Sequence, residues 1–280
     1  MNYKILLTVP LLVLALSVAI LLVRYNQTGE WFGRSIELKG GTLITINTQE
    51  RLNAGEIEDV LKKKFQPVHV REITSFEGYG TVIETSTDVD HEEILSELRS
   101  MGIDTRDSSI EIIGPSLGAS FWVQAQTAIG IAFIFMGIIV FVIFRTFVPS
   151  IAVIMSALSD IVMTLAFMQV FGIDLSLAGL AALLMLIGYS VDTDIMLTSR
   201  LLKESEEKTL ARKLRRALKT GLTMTLTSVG ALAALLVSAV SPVLSQIALV
   251  LLMGLLFDIM NTWLMNSVIL RWYCERKGLI

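Results

Sequence analysis

Four acids, Asp160, Asp192, Asp194 and Asp258, stand inside otherwise apolar stretches of this sequence. An ionised carboxylate at the centre of a membrane helix costs about 3 kcal/mol or more, so acids kept there mark proton relays, ion pathways or strong hydrogen-bond partners. At 3.6 residues per turn Asp192 and Asp194 lie about 200° apart and cannot share a face. Asp194 falls in line with Ser190 and Thr198, and Asp192 with Gly188 and Ser199. Asp160 repeats the pattern with Ser156 and Thr164 at spacings of four. Further along, Arg216, Thr220, Thr223 and Thr227 form one stripe, and Asp258 is followed by Asn261 and Thr262. The chemistry these types suit is uptake and release of a proton or ion between helices, with Arg216 as the cation that biases a carboxylate. The hydroxyls and Asn261 equally suit interhelical hydrogen bonding, worth roughly 0.6–2 kcal/mol each.

The elements that must hold these groups are membrane helices. Hydrophobic residues make up 53% of the chain and mean hydropathy is +0.67. Six runs, 5–23, 123–144, 151–171, 175–199, 220–240 and 245–270, are long enough to cross roughly 30 Å of hydrocarbon. No convincing cleavage site follows the first, which reads as a retained anchor. The short loop 200–219 carries Arg200, Lys203, Lys208, Arg212, Lys213, Arg215, Arg216 and Lys219. The bias of basic residues toward the cytoplasm places that loop, and both termini, inside.

Residues 24–122 then form an extracytoplasmic domain between the first anchor, 1–23, and the membrane region 123–280. Alternating apolar residues predict strands at 42–48, 68–74, 79–85 and 104–113, with a turn at Glu77-Gly78. Helical spacing predicts helices at 53–65 and from an Asp90 cap to about Arg99. The order β-α-β-β-α-β is that of a ferredoxin-like unit.

Several chemistries are excluded. No Gly-x-x-x-x-Gly-Lys-Ser/Thr run is present, so a nucleotide P-loop is not expected. His69 and His91, the only histidines, are far apart, and no metal site or other cofactor is expected. The basic loop is explained by topology and anionic lipid, not by nucleic acid. With its single Cys274 the chain forms no internal disulfide.

Four motifs carry a resemblance. Glu37-Leu38-Lys39-Gly40-Gly41-Thr42 stands at the entry into the outer domain, and Ile113-Gly114-Pro115-Ser116-Leu117-Gly118 at its exit. Gly188-Tyr189-Ser190-Val191 opens a segment that Arg200 closes, and Arg216 to Thr223 includes Thr220. Together they resemble the SecF family of protein-export membrane proteins, in its archaeal branch. The resemblance implies six transmembrane helices similar to half of a resistance-nodulation-division transporter, the partner SecD supplying the other half. It also implies a non-enzymatic accessory that acts with SecD at the SecYEG translocon on exported preprotein, driven by a proton or ion gradient. Where bacterial members carry the implicated proton-carrying Asp this chain has Thr193, flanked by Asp192 and Asp194. Those two acids and Arg216 are the expected coupling residues, with Ser190, Thr198, Asp160, Asp258 and Asn261 around them. The alternative is a small homo-oligomeric exporter of lipids or hydrophobic compounds.

Overall fold

The structure, a computed structural model, describes residues 6–48, 52–75, 78–202, 209–238 and 241–278. Its first helix, α1 (Thr8–Thr28), is apolar up to Val23 apart from Thr8 and Ser17, and stops at Gly29, whose φ of 74° closes the last turn with a hydrogen bond to the Tyr25 carbonyl. A short helix α2 (Ile36–Lys39) then leads into a four-stranded sheet. Its elements follow as β1 (Gly41–Thr48), α3 (Ala54–Leu61), β2 (Val68–Ser75), β3 (Gly78–Thr85), α4 (His91–Ser100) and β4 (Ser108–Ile113). All neighbours are antiparallel and the spatial order is β2-β3-β1-β4, which is the ferredoxin-like arrangement.

The strands and helices form because every second or every third to fourth residue is apolar. Ile44 and Ile46 of β1, Ile57 and Leu61 of α3, and Ile94 and Leu98 of α4 meet in one buried cluster. Asn53 caps α3 by accepting from the Glu56 amide, and Asp90 caps α4 by accepting from the Glu92 amide. Two boundaries are tighter than periodicity suggests. The helix from Asn53 ends at Leu61, because residues 62–64 turn toward Pro67 and the start of β2. Strand β4 begins at Ser108, not at 104, because Asp104 folds back on Arg106. The Asp104 carboxylate accepts from the Arg106 amide at 3.0 Å and from Nη2 at 2.6 Å, and the guanidinium holds its pKa down to about 2. Residue 77 of the expected Glu77-Gly78 turn lies outside the described residues.

Five further spans complete the membrane region: α5 (Pro115–Phe144), α6 (Phe147–Val170), α7 (Leu177–Leu202), α8 (Leu210–Ser238), and a last span of α9 (Pro242–Met260), a π-helical turn (Asn261–Asn266) and α10 (Ser267–Lys277). Helix α5 starts eight residues before its apolar run because Pro115 at its first position has no amide hydrogen to lose there. Helices α6, α7 and α9 form the interior, with Ala157, Leu183, Leu186 and Val250 buried between them. One face of α5, with Ile134, Phe135, Ile138 and Val142, is open, as is Leu226 on α8.

Candidate functional site: a buried carboxylate cluster and a pinned domain junction

Helix α6 turns Ser156, Asp160 and Thr164 inward at spacings of four, and α7 does the same with Ser190, Asp194 and Thr198; all six side chains are fully buried. The last span completes the group with Asp258, Asn261, Thr262 and Asn266, also fully buried. A π-helical turn makes this set possible. Its backbone bonds run i to i+5, seen where the Ser267 amide reaches the Thr262 carbonyl, so Asn261 and Asn266 come onto nearly the same line as Thr262.

The side chains are linked across three helices. Ser190 Oγ donates to Asp160 Oδ2 at 2.6 Å, and Asn261 Nδ2 donates to Asp160 Oδ1 at 2.7 Å. Asn266 Nδ2 donates to Asp194 Oδ1 at 2.6 Å. Thr262 Oγ1 lies 2.9 Å from Asp194 Oδ1 and 3.1 Å from Asp258 Oδ1. A hydroxyl has one hydrogen, so Thr262 donates to one carboxylate only; its second contact is a hydrogen bond when the other carboxyl supplies the hydrogen. Asp194, Thr262 and Asp258 thus form a chain with room for one shared proton. Asp194 Oδ2, Asp258 Oδ2, Asn261 Oδ1, Asn266 Oδ1, Ser156 Oγ and Thr198 Oγ1 make no hydrogen bond within the usual distance and angle among the described residues. Buried oxygens are seldom left so.

The expected set is therefore split. Asp194, Ser190, Thr198, Asp160, Asp258 and Asn261 come together. Asp192 does not: it lies on the exposed face of α7 with Gly188 and Tyr189. Thr193 is buried, and its hydroxyl donates back to the Tyr189 carbonyl at 3.2 Å. Arg216 is also outside the cluster, exposed on α8. The helix meets its neighbours through Ala217, Gly221 and Thr225, a line about 100° round from Arg216. The α8 hydroxyls do not extend the buried seam either. Thr220, Thr223 and Thr227 each donate to a carbonyl of their own helix. Asn266 is the residue that sequence reasoning missed. Regular helical spacing puts it about 140° from Asn261, and only the π turn brings both inward.

The motif residues around the outer domain meet at a second place. Glu37 Oε2 accepts from the Leu177 amide at 2.7 Å, which satisfies a free donor at the start of α7 where a negative charge is favoured. Beside it the Ser35 amide donates to the Leu175 carbonyl and the Leu175 amide to the Gly33 carbonyl, a parallel bridge between the chain after α1 and the α6–α7 connection. Gly40 has a φ of 85°, and a Cβ there would stand 2.6 Å from Pro115 Cα. Gly118 is in the same contact: its Cβ would stand 2.8 Å from the Lys39 carbonyl carbon. Gly41 and Gly114 flank this crossing, so residues about 75 positions apart form one joint. Arg200 closes α7 in its last turn.

Next to the joint, a cleft of about 350 Å³ separates the sheet from the α6–α7 connection, lined in part by Arg24, Lys39, His69, Arg71, Glu84 and Asp174. Glu84 is buried, with Arg71 Nη2 3.0 Å from its Oε1. Burial pushes its carboxyl above the ordinary 4.5, Asp174 adds to that, and Arg71 opposes it. Because the folded-state value is raised, stability is greatest below the unfolded value and is lost as pH rises through the folded one. Glu84→Gln is expected to remove that loss, giving a higher melting temperature than the parent at pH 8 and a flatter profile between pH 4 and 8. Parallel profiles would show that folding does not change the proton affinity of Glu84.

The fold is that of a multi-pass helical membrane protein with a small sheet domain, similar to part of SecDF. A solved structure of SecDF, a translocon-associated membrane protein from Thermus thermophilus, superposes with a TM-score of 0.78 at 21% identity, over 99% of this chain and 39% of that one. SecDF in its super-membrane-facing form gives a TM-score of 0.58 at 20% identity with the same coverage. This chain thus spans well under half of those SecDF chains. Residues 93–276 match the family model for the C-terminal region of the protein-export membrane proteins SecD/SecF. The protein-export membrane protein SecF of Methanothermobacter thermautotrophicus is 40% identical over 99% of this chain and 94% of its own length. That of Pyrococcus furiosus is 40% identical over 99% of this chain and 93% of its own. The chain belongs to the SecF family of protein-export membrane proteins.

Proposed function

We propose that this protein is an accessory, non-catalytic subunit of Sec protein export that pairs with SecD at the SecYEG channel. Residues 24–122 face outward to act on emerging preprotein, and the termini and loop 200–219 face the cytoplasm. Family membership supports the export role, and the basic composition of the loop supports the orientation. The open apolar faces of α5 and α8 suit a second membrane half.

Export is coupled to ion movement through the layer of Asp160, Asp194 and Asp258. The observation that carries this reading is the single Thr262 hydroxyl placed between two fully buried carboxyls, since intramembrane acids of that kind are functional by default. The joint at Glu37, Gly40 and Gly118 would pass a helix movement on to the outer domain, because it ties that domain to the start of both α5 and α7.

The experiment is to purify the tagged protein from its membranes and reconstitute it with SecD and SecYEG. The expected result is copurification with SecD and preprotein translocation that rises when an ion gradient is imposed. A homo-oligomer free of SecD would overturn the export role and favour an exporter. Translocation that rises without any gradient would overturn only the coupling.

A further inference from the structure

Buried threonines in this protein commonly give their hydroxyl hydrogen to their own helix. Thr164, Thr193 and Thr225 each donate to the carbonyl four residues back, at 2.6, 3.2 and 3.1 Å. Thr262 departs from this. Its hydroxyl lies 2.9 Å from Asp194 Oδ1 on α7 and 3.1 Å from Asp258 Oδ1, one turn back on its own span. Ser190 and Asp194 on α7, and Asp258 and Thr262 on the last span, are spaced by four, so each helix offers the other one hydroxyl and one carboxyl. Ser190 also stands beside Asp258, but its hydrogen goes to Asp160 Oδ2 at 2.6 Å. Asn266 Nδ2, 2.6 Å from the same Asp194 oxygen, keeps that carboxyl turned toward Thr262. Among the described residues no lysine or arginine is buried with these acids, so their charge is balanced by hydrogens on the carboxyls themselves.

We propose that the Thr262 hydroxyl is the relay that passes a proton between Asp258 and Asp194. This rests on the ion-coupling reading above and assigns the group that moves the ion. With the hydrogen on Asp258, its Oδ1–H donates to Thr262 Oγ1 and the Thr262 hydroxyl donates to Asp194 Oδ1. Transfer breaks the O–H bonds at Asp258 and Thr262 and forms new ones at Thr262 and Asp194. Asp258 is left as the carboxylate, Asp194 becomes neutral, and the threonine is unchanged except that its hydrogen now points to Asp258. A proton has passed from the last span to α7 with no side chain displaced. A methyl group in place of the hydroxyl leaves the two carboxyls with neither a donor nor an acceptor between them.

The test is preprotein translocation in vesicles holding this protein with SecD and SecYEG, with and without an imposed pH gradient. It compares the parent with Thr262→Val, Thr262→Ser and Asp194→Asn by the gradient-dependent increment in rate. Valine keeps the shape of threonine without the hydroxyl, so the increment is expected to fall by about a hundredfold, the low end of what a positioned proton-transfer group contributes. Serine keeps the hydroxyl and is expected to restore the increment. Thr225→Val is the control, the same change at a buried threonine bonded to its own helix, and should leave the increment intact. Should Thr262→Val fail to assemble with SecD, Thr262→Cys, whose thiol is a weak donor, is expected to lose most of the increment. A full increment in Thr262→Val or Thr262→Cys would overturn the relay, and with Asp194→Asn inactive it would leave ion coupling through the cluster standing. Loss in both Thr262→Val and Thr262→Ser would make Thr262 a packing contact and also overturns the relay. A full increment in Asp194→Asn would overturn the coupling and the relay together.

Discussion

Asp194→Asn protein is expected to fold, to assemble, and to leave gradient-driven translocation at the level of vesicles lacking the chain. The amide keeps the shape of the carboxyl, and its oxygen still accepts from Asn266 and Thr262, the two donors at Asp194 Oδ1. Its nitrogen takes the place of Oδ2, an atom that accepts no hydrogen bond among the described residues. What the change removes is the ability to gain and lose a charge. Asp160→Asn differs in a measurable way. Both Asp160 oxygens accept, one from Ser190 and one from Asn261, so an amide nitrogen there replaces an acceptor and the Ser190 hydroxyl must turn round and lose its own acceptor. That misfit is expected to cost about 1–3 kcal/mol, visible as a lower melting temperature. Asp192→Asn, on the exposed face of α7, should change neither stability nor gradient dependence. Preprotein protection in vesicles under an imposed gradient reads the first effect and thermal melting the second. Full gradient-driven translocation by the Asp194→Asn protein would remove the cluster from the mechanism.

Gly118→Val is expected to be the most damaging single change at the domain joint. The new Cβ would stand 2.8 Å from the carbonyl carbon of Lys39, and its other neighbours are backbone atoms of Gly40, so no side chain can swing aside. Overpacking of this kind costs about 1–3 kcal/mol and more where backbone must move, which corresponds to a fall of about 5–10 °C in melting temperature. The strain also separates α2 from the start of α5. Trp122, 5.7 Å from Phe32 and beneath the Arg34 guanidinium, should therefore change its fluorescence. Gly130→Ala in the same helix is the control, because a Cβ there meets nothing within 4 Å. Equal melting temperatures for the two variants would mean that the joint yields more easily than its geometry indicates.

Much of this architecture is legible in the chain because it depends on periodicity. Long apolar runs need a hydrocarbon phase, and alternation at 42–48 and 68–74 needs a half-buried sheet, whatever the rest of the protein does. Pairing order is harder to read from spacing, yet the element order β-α-β-β-α-β admits few sheets. The acids were also visible, since any charge stands out in a run such as that from Leu177 to Leu202. Helical phase correctly set Asp194 and Asp192 on different faces, but phase alone does not say which face has neighbours. Spacing aligned Arg216 with three hydroxyls, and that stripe proved to be the open side of α8.

By itself, then, the sequence determined the number of spans, the small sheet domain between the first two, and the presence of acids that a membrane tolerates only with partners. Tertiary structure decided which acids those are. Asp160, Asp194 and Asp258 share a layer because α6, α7 and α9 pack together, and Asn266 joins them because one π turn alters the helical phase. Glu37, Gly40 and Gly118 form a joint because a folded domain brings its two ends back to the same point. Local pattern reflects the choice between water and hydrocarbon at each residue, whereas partnership across helices depends on rotation and register that no single segment contains.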